Sequence, residues 1–553
     1  MRSLRLATAA RLLPTPPVVA VLMSATAVLV FMRTAVLSGF DSVPGGLGDG
    51  RFNLAVLEHW YRVVLGAESW RSPNWFYPVP GVLGMSDALV LLAPPYVLGR
   101  LAGLHPVAAL GATQAFAAMV GMAGTLVFLR RLLGLVWPAA TAGAVAFGLS
   151  SALYATIAGG QVQLLAVELV PWVAVTALLT LRHPDPRWPA AMALLLAGLL
   201  STSFYVGWFA GLDVLFLIGL ALPAAAGALP GWVAERKPGL IIAGTLLVVG
   251  LVPFAVLYGP IALGAAPRPW SVVALTLPGP FQLFEARDNA LWGPVGEALQ
   301  PGLAHRGGEL GKGLSWGLTA LFLVTFARLS LGWQPSLGPA TRRLALVLGA
   351  GVLASWLLML DIGGVSLWTV IYRWVPGGTT IRSVFRFNLI LAFPVVAVAA
   401  IGLDQLWRQT SNAPRHRLAV AALTALVMIE QLNLAPTVLS RTRDFGAVES
   451  QRPAPATCRS FVLLGATPDP SLHRWSRQTV ALMIAQAQGV PTLNGYSGMA
   501  PPGWKLFDPT DHTNYRRAIV TWADAQNIWP GLCGLDPEQQ RWFPVLRTDL
   551  TPE

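Results

Sequence analysis

Apolar runs long enough to cross a lipid bilayer recur along the chain between residues 16 and 436, and they restrict its possible folds more than any other feature. An apolar helix of roughly 20 residues crosses the ~30 Å hydrocarbon core of a bilayer. Only 12% of the residues are charged, about half the fraction found in soluble domains. The sequence therefore predicts an all-α polytopic membrane domain. About 11 spans are expected, near residues 16–37, 107–129, 135–157, 162–181, 188–203, 205–228, 239–263, 314–331, 344–361, 387–404 and 418–436.

Positive charges lie in short segments between these runs. The net charge is +12, but it forms no continuous basic stripe, so we expect no nucleic-acid partner. Under the positive-inside rule the basic clusters mark cytoplasmic loops, and Arg2, Arg5 and Arg11 place the N-terminus in the cytoplasm. We interpret the first apolar run as a retained anchor rather than a cleaved signal peptide. The clusters are Arg130 with Arg131, residues 182–187, Arg236 with Lys237, Arg342 with Arg343, and residues 408–417.

The run 88–101 is too short for a full span and contains Pro94 and Pro95, so we interpret it as interfacial or re-entrant. An odd number of spans then places three loops on the outer side, at 38–87, 264–311 and 362–386. We call them loop one, loop two and loop three. The expected location is the plasma (inner) membrane, with multiple passes and an extracytoplasmic C-terminus.

The C-terminal segment, residues 437–553, is less apolar than residues 1–436 and predicts a small extracytoplasmic domain of the α/β or α+β class. We expect a strand at 461–464, helices at 479–488 and 515–525, and a turn at 494–498. Cys458 and Cys533 are the only cysteines. In an oxidising compartment a disulfide is the favoured interpretation, because a metal site would need further ligands nearby. Their Cα atoms should then lie roughly 4.4–6.8 Å apart.

Loop one carries a cluster of ionisable side chains. Phe52, Val56 and Trp60 recur at helical spacing, which predicts a surface helix over 51–65 with Asp49 at its start. Asp49 could simply cap that helix. Asp41, Glu58 and Asp87 lie in the same loop, and carboxylates at a membrane boundary can act as general bases or bind a divalent cation such as Mg²⁺ or Mn²⁺. A metal site stays open at this point.

Loop three carries Arg382 and Arg386, on the side of the membrane where arginine is disfavoured. Either residue could snorkel to the interface. Arginine also binds phosphate oxygens at two points, and a helix N-terminus adds favourable amide groups. Together the two arginines indicate an anionic lipid headgroup, most simply a phosphate or diphosphate.

These features resemble the GT-C glycosyltransferases. The resemblance rests on the order of loops and spans, on Gly-Asp-x-x-Phe-Asn at 48–53, on Phe-Tyr-Pro at 76–78 with Ser-Asp at 86–87, and on Ile-Arg-x-x-x-Arg-Phe at 381–387. Within the superfamily the chain is most similar to a large group of bacterial membrane proteins. Related chains often carry Gly-His at the start of the span that begins here with Gly-Gly-Gln-Val-Gln at 159–163, so any role of that histidine is absent or carried by glutamine.

The resemblance implies inverting transfer of a sugar from a polyprenyl-phosphate carrier to an envelope acceptor at the outer face. It implies that Asp49, rather than Asp41, is the general base. Asp87 or Glu58 would be a second acidic residue that orients the acceptor or helps to bind a metal. Arg382 and Arg386 would bind the donor phosphate.

Two other functions remain open. A transporter or flippase of a lipid-linked or anionic substrate would use the same headgroup arginines without chemistry, although the repeats of such proteins are not evident. A non-catalytic subunit of envelope assembly is the third reading. Glu168, Glu430 and Gln114 lie within predicted spans, where we favour interhelical hydrogen bonds over a cavity lining. His305 and His512 lack metal-ligand spacing.

Overall fold

A computed structural model describes residues 16–264, 266–285, 288–299, 309–333, 337–409, 414–433, 437–465 and 474–550. Arg2, Arg5, Arg11, His305 and the last residues of the predicted span 418–436 lie outside these ranges. The α-helices in the described part are Pro16–Phe31, Arg33–Leu37, Asp49–Val64, Ala93–Leu101, Pro106–Leu126, Trp137–Gly148, Ser151–Ala158, Val170–Arg182, Arg187–Thr202, Phe204–Ala225, Leu229–Gly250, Val252–Gly264, Trp270–Ala274, Trp292–Leu299, Trp316–Ser330, Pro339–Met359, Trp368–Trp374, Phe387–Gln409, Pro414–Ile429, Arg441–Asp444, Gly446–Glu449, Arg474–Gln488, His512–Gln526 and Arg547–Leu550.

Six helical segments in the described ranges are long and apolar enough to cross a membrane. Each coincides with a predicted span. They are Pro106–Leu132, Trp137–Ala158, Val162–Arg182, Phe204–Ala225, Pro339–Met359 and Val384–Gln409. The chain is therefore a mainly helical membrane protein.

The other predicted spans correspond to shorter or broken helices. Leu229–Gly250 and Val252–Gly264 pass the same test together, but they meet at 49°. Pro253 lies at the break, and a proline cannot donate the helical hydrogen bond at that point. Pro17–Phe31, Arg187–Thr202 and Trp316–Ser330 are apolar but shorter. The count of about 11 therefore stays a prediction, as does the placement of 88–101, where Ala93–Leu101 is a helix of only 9 residues.

The helix Phe387–Gln409 lies at the centre of the bundle. All of its residues from 387 to 405 are buried, as expected for a helix that is apolar on every side. It packs against Trp316–Ser330, Trp137–Gly148 and Pro339–Met359. This helix begins immediately after Arg386, so the central helix positions loop three.

Loop one contains the helix Asp49–Val64, which we call the loop-one helix. The predicted start at Asp49 is confirmed. Residues 50–59 are all buried, so the helix is covered by protein; its position along the membrane surface stays a prediction. The helix lies between Ala93–Leu101 and Pro106–Leu126 on one side and Arg474–Gln488 of the C-terminal segment on the other. The C-terminal segment covers the face of the helix that its amphipathic pattern predicted to be exposed.

The described ranges also contain five short strands: β1 (Ser42–Pro44), β2 (Val438–Ser440), β3 (Ser460–Leu463), β4 (Leu532–Asp536) and β5 (Arg541–Pro544). β1 pairs antiparallel with β2, with Ser42 opposite Ser440. This pair fastens loop one to the start of the C-terminal segment. β3 runs parallel to β4, and β5 runs antiparallel to β4.

The predicted strand and both helices of the C-terminal segment are confirmed, as β3, Arg474–Gln488 and His512–Gln526. Cys458 and Cys533 form a disulfide, and their Cα atoms lie 5.6 Å apart. The hydrophobic core is continuous from the membrane helices into this segment. Because the segment packs on loop one, the two lie on the same side of the bundle. That this side is the outer one, and that residues 437–553 form a domain, stay predictions.

Candidate functional site

Asp49 is the first residue of the loop-one helix, and its side chain points toward the C-terminal segment. The hydroxyl of Tyr496 donates a hydrogen bond to Asp49 Oδ1 over 2.5 Å. The N-cap of the helix is Gly48, and no side chain caps it. Asp49 therefore does not serve as the capping residue. Its charge is still favoured by the helix dipole, because it lies in the first turn.

Two close approaches hold this end of the helix in place. Gly160 has φ +95°, and a Cβ there would lie 2.6 Å from the backbone nitrogen of Gly50 and 3.3 Å from Asp49 Cβ. On the opposite side, a Cβ at Gly48 would lie 2.8 Å from the ring of Trp475. The start of the helix therefore packs closely between the turn at Gly160 and the C-terminal segment.

Asn53 connects the same turn to the helix. Its Nδ2 lies 2.8 Å from the carbonyl oxygen of Asp49, 2.9 Å from that of Gly160 and 3.0 Å from Oε1 of Gln163. An amide NH₂ has two hydrogens, so these acceptors share them. The last residue of the Gly-Asp-x-x-Phe-Asn motif therefore positions Asp49 through the backbone.

The neighbouring Gln161 leads to a cluster of charges around Glu309. Gln161 Nε2 donates to Glu309 Oε1 over 3.0 Å. Arg386 donates to both carboxylate oxygens, over 3.0 Å to Oε2 and 2.5 Å to Oε1. Lys312 Nζ donates to Oε2 over 3.1 Å, and Arg382 Nη2 lies 3.8 Å from Oε1. We call Glu309, Lys312, Arg382 and Arg386 the Glu309 cluster.

The Glu309 cluster is positively charged overall. Burial disfavours ionisation of Glu309, but the Arg386 guanidinium and the Lys312 ammonium outweigh it and hold the pKa of this carboxyl well below its usual range. Glu309 is therefore an anion at neutral pH, and it faces three cations. The excess of positive charge makes the cluster suited to an added anion.

The two arginines of loop three differ in exposure. The Arg386 side chain is 7% exposed and lies over the ring of Tyr205, with Cζ 4.6 Å from the ring centroid. The Arg382 side chain is 48% exposed, while its backbone N–H donates to the Tyr205 hydroxyl over 3.0 Å. Arg382 is thus held by its backbone and keeps a guanidinium that a ligand can reach. Its charge also acts on Tyr496, the partner of Asp49.

The remaining carboxylates proposed from the sequence have partners of their own. Asp87 accepts hydrogen bonds from the backbone nitrogen of Phe204 over 2.8 Å and from Ser203 Oγ over 3.4 Å, so it caps the helix Phe204–Ala225. Burial raises the pKa of Asp87, although these bonds and Arg386 oppose the shift.

Glu58 and Asp41 accept hydrogen bonds from groups that do not contact Asp49. Glu58 accepts from Tyr96 over 2.7 Å and from Arg100 over 2.9 and 3.1 Å. Asp41 accepts from Ser440 over 2.8 Å and from Thr442 over 2.5 and 3.0 Å. Glu58 therefore ties the loop-one helix to Ala93–Leu101, and Asp41 ties loop one to the C-terminal segment.

No group of three or more His, Cys, Asp or Glu side chains that could hold a metal ion occurs within the described ranges. Asp41, Glu58 and Asp87 each have other partners, and Glu309 is surrounded by cations. A divalent cation stays a prediction from the sequence, because Mg²⁺ commonly binds through one or two carboxylates together with waters and substrate phosphates.

Sequence reasoning missed Glu309, Lys312 and Tyr496. Glu309 in loop two and Lys312 just after it were visible as two charges three positions apart, but nothing in the sequence linked them to loop three. Tyr496 was noticed only as part of a turn. Gln161, in contrast, belongs to the stretch 159–163 where related chains often carry histidine, and it contacts the site.

No protein-family model matches the chain, and no curated protein does. Among solved structures, the chain is similar to the cryo-EM structure of the arabinofuranosyltransferase AftD from Mycobacteria, with 15% sequence identity and a TM-score of 0.47 over 93% of this chain. A structure of a mutant of that enzyme matches 81% of this chain, with 15% identity and a TM-score of 0.41. The chain spans about a third of the length of these proteins, since the matches cover 35% and 30% of them.

Proposed function

We propose that this chain is a membrane glycosyltransferase of the GT-C type. It transfers a sugar from a polyprenyl-phosphate carrier to a hydroxyl of an envelope acceptor, at the outer face of the plasma membrane and with inversion at the anomeric carbon. The observation that carries the proposal is the hydrogen bond from Tyr496 to Asp49, at a place where the positive charge of Arg382 also acts on the phenol.

Asp49 supplies the general base. The acceptor hydroxyl loses its proton to the Asp49 carboxylate while its oxygen attacks the anomeric carbon. The bond from that carbon to the phosphate oxygen breaks, and its electron pair stays on the phosphate. A positioned base of this kind typically contributes 10²–10⁴-fold to the rate.

The Glu309 cluster supplies the donor site. Arg382 contacts the phosphate, because its guanidinium is half exposed and only loosely paired with Glu309 at 3.8 Å. Arg386 and Lys312 are buried and hold Glu309. Their excess positive charge stabilises the negative charge that develops on the leaving phosphate. The phosphate then leaves as an anion and needs no strong acid.

The hydrogen bonds of the intramembrane carboxylate Glu430 weigh against transport. Glu430 accepts hydrogen bonds from the backbone nitrogens of Gly317 and Leu318 over 2.9 and 2.7 Å, at the start of the helix Trp316–Ser330, and from Trp292 over 2.9 Å. It acts as a helix cap. Glu168 is buried against Gly121, and its Oε2 has no hydrogen-bond partner among the described residues. The interhelical hydrogen bond expected for Glu168 is therefore not formed there.

The first prediction tests the base. Asp49→Asn should lower sugar transfer from a polyprenyl-phosphate donor by about 10²–10⁴-fold, because the amide keeps an oxygen for Tyr496 but cannot accept a proton. The measurement is release of polyprenyl phosphate by the purified, reconstituted protein across a panel of lipid-linked sugars.

Asp41→Asn is the matched control, since Asp41 lies in the same loop but bonds Ser440 and Thr442. It should retain transfer. Turnover by Asp49→Asn equal to the wild-type rate would exclude Asp49 as the base. Absence of transfer by the wild-type protein with every donor would favour the transporter function instead.

A further inference from the structure

Tyr496 lies in an irregular stretch of the C-terminal segment, residues 494–496, that is held from two sides; the predicted turn at 494–498 appears only as a bend at 497–499. The backbone N–H of Gly495 donates to Gln478 Oε1 over 3.1 Å. The carbonyl of Asn494 accepts from the backbone nitrogen of Phe76 in loop one over 3.0 Å. A Cβ at Gly495 would lie 2.0 Å from the Phe76 ring. Residues 494–496 are therefore packed closely against loop one.

The Tyr496 side chain contacts the loop-one helix at two points. Its hydroxyl donates to Asp49 Oδ1, and its ring packs edge-to-face on Phe52 with the centroids 5.5 Å apart. Asp49 and Phe52 lie three positions apart, on one face of the helix. The ring contact fixes the direction from which the hydroxyl approaches the carboxylate.

Tyr496 stays a hydrogen-bond donor at every physiological pH. Burial and the negative charge of Asp49 raise the pKa of the phenol well above its usual range, and the positive charge of Arg382 opposes them only in part. The phenol therefore keeps its proton and cannot compete with Asp49 as a base.

Only one oxygen of Asp49 is occupied in this way. Among the residues that the structure describes, Tyr496 bonds Oδ1, and none donates a hydrogen bond to Oδ2. We propose that Tyr496 is a positioning residue of the active site, which holds Asp49 by Oδ1 so that Oδ2 receives the acceptor hydroxyl. The inference rests on the proposed transfer reaction, and it makes the C-terminal segment part of the catalytic site.

The test is Tyr496→Phe, which removes the hydroxyl and keeps the ring on Phe52. We expect kcat to fall roughly 10- to 100-fold, the effect of losing one hydrogen bond to a charged group. KM for the polyprenyl-phosphate donor should stay unchanged, because the donor contacts Arg382. In the Asp49→Asn background, measured at high enzyme concentration, Tyr496→Phe should cause almost no further loss.

Tyr515→Phe is the matched control. The Tyr515 hydroxyl is also buried in the C-terminal segment, but it accepts from Asn494 over 2.7 Å and does not touch Asp49. Tyr515→Phe should keep kcat within about twofold of wild type, since its hydrogen bond is neutral and remote from the carboxylate.

Three results would overturn the inference while the proposed function stands: wild-type kcat in Tyr496→Phe, an equal fall in Tyr515→Phe, or an undiminished effect of Tyr496→Phe in the Asp49→Asn background. An inactive wild-type protein would instead remove the proposed function, and the inference with it. The two failures are therefore distinguishable by the wild-type measurement alone.

Discussion

At the scale of single residues, the same side chain has different roles because its neighbours differ. Asp41, Asp49 and Asp87 are three aspartates of one loop. Asp41 is bonded by hydroxyl and backbone groups of the C-terminal segment, and Asp87 caps a membrane helix. Of the three, only Asp49 keeps a carboxylate oxygen to which none of the described residues donates a hydrogen bond. Its proposed role depends on Tyr496 and the Glu309 cluster, which come from distant parts of the chain.

Gly160 provides a prediction at this scale. Gly160→Ala should move the start of the loop-one helix, because the added Cβ would lie 2.6 Å from the backbone nitrogen of Gly50. The left-handed φ adds a strain of about 1–2 kcal/mol. We expect a lower midpoint of thermal unfolding and a loss of transfer, measured by scanning fluorimetry and the donor-release assay.

Gly66→Ala separates the clash from the strain. Gly66 has φ +72°, but a Cβ there would meet nothing within 4 Å. This variant should show the modest destabilisation of the backbone strain and keep its activity. Equal effects of the two substitutions would contradict a close approach at Gly160.

At the scale of elements, loop one and the C-terminal segment are joined through β1 and β2 and through Asp41 beside them. Hydrogen bonds from Thr442 and Ser440 lower the pKa of Asp41 to about 2, against 3.8 for the ordinary group. A carboxyl with a lowered pKa in the folded state stabilises the fold above its unfolded pKa. That contribution is lost as the pH falls from about 4 toward 2.

The third prediction follows from the lowered pKa of Asp41. Asp41→Asn should lower the midpoint of thermal unfolding at pH 6, and its difference from wild type should shrink as the pH approaches 2. Scans at pH 6, 4, 3 and 2 measure it. Thr442→Val, which removes one donor, should show a smaller change with the same dependence on pH. A difference that stays constant with pH would show that Asp41 acts through its shape rather than its charge.

At the scale of the whole molecule, the C-terminal segment is part of the fold around the site. Its helix Arg474–Gln488 covers the loop-one helix. Arg62 of the loop-one helix donates a hydrogen bond to the carbonyl oxygen of Gln486 over 2.9 Å. The disulfide between Cys458 and Cys533 joins the residues before β3 to β4 of the same segment.

The disulfide gives a prediction at this scale. It joins residues 75 positions apart, a loop for which the chain-entropy model gives a stabilisation of roughly 4 kcal/mol. A strong reductant should therefore lower the unfolding midpoint of the wild-type protein. The double variant Cys458→Ala with Cys533→Ala should start at the lower midpoint and ignore the reductant; a response of that variant would point to another effect of the reagent.

Local patterns in the sequence determined the class of the protein and several elements. Hydropathy over about 20 residues depends only on neighbouring side chains, so the six long spans were predictable. Helical spacing and turn residues likewise placed the start of the loop-one helix at Asp49 and the elements of the C-terminal segment. The cysteine pair followed from its small number and its expected compartment.

The tertiary structure alone decided which groups meet. Asp49 and Tyr496 are separated by 447 positions, and Glu309 and Arg386 by 77. No local pattern encodes such a pairing, because it depends on how every intervening helix packs. For the same reason the burial of the loop-one helix escaped prediction: its amphipathic pattern shows one polar face, and only the packed chain places the C-terminal segment against it.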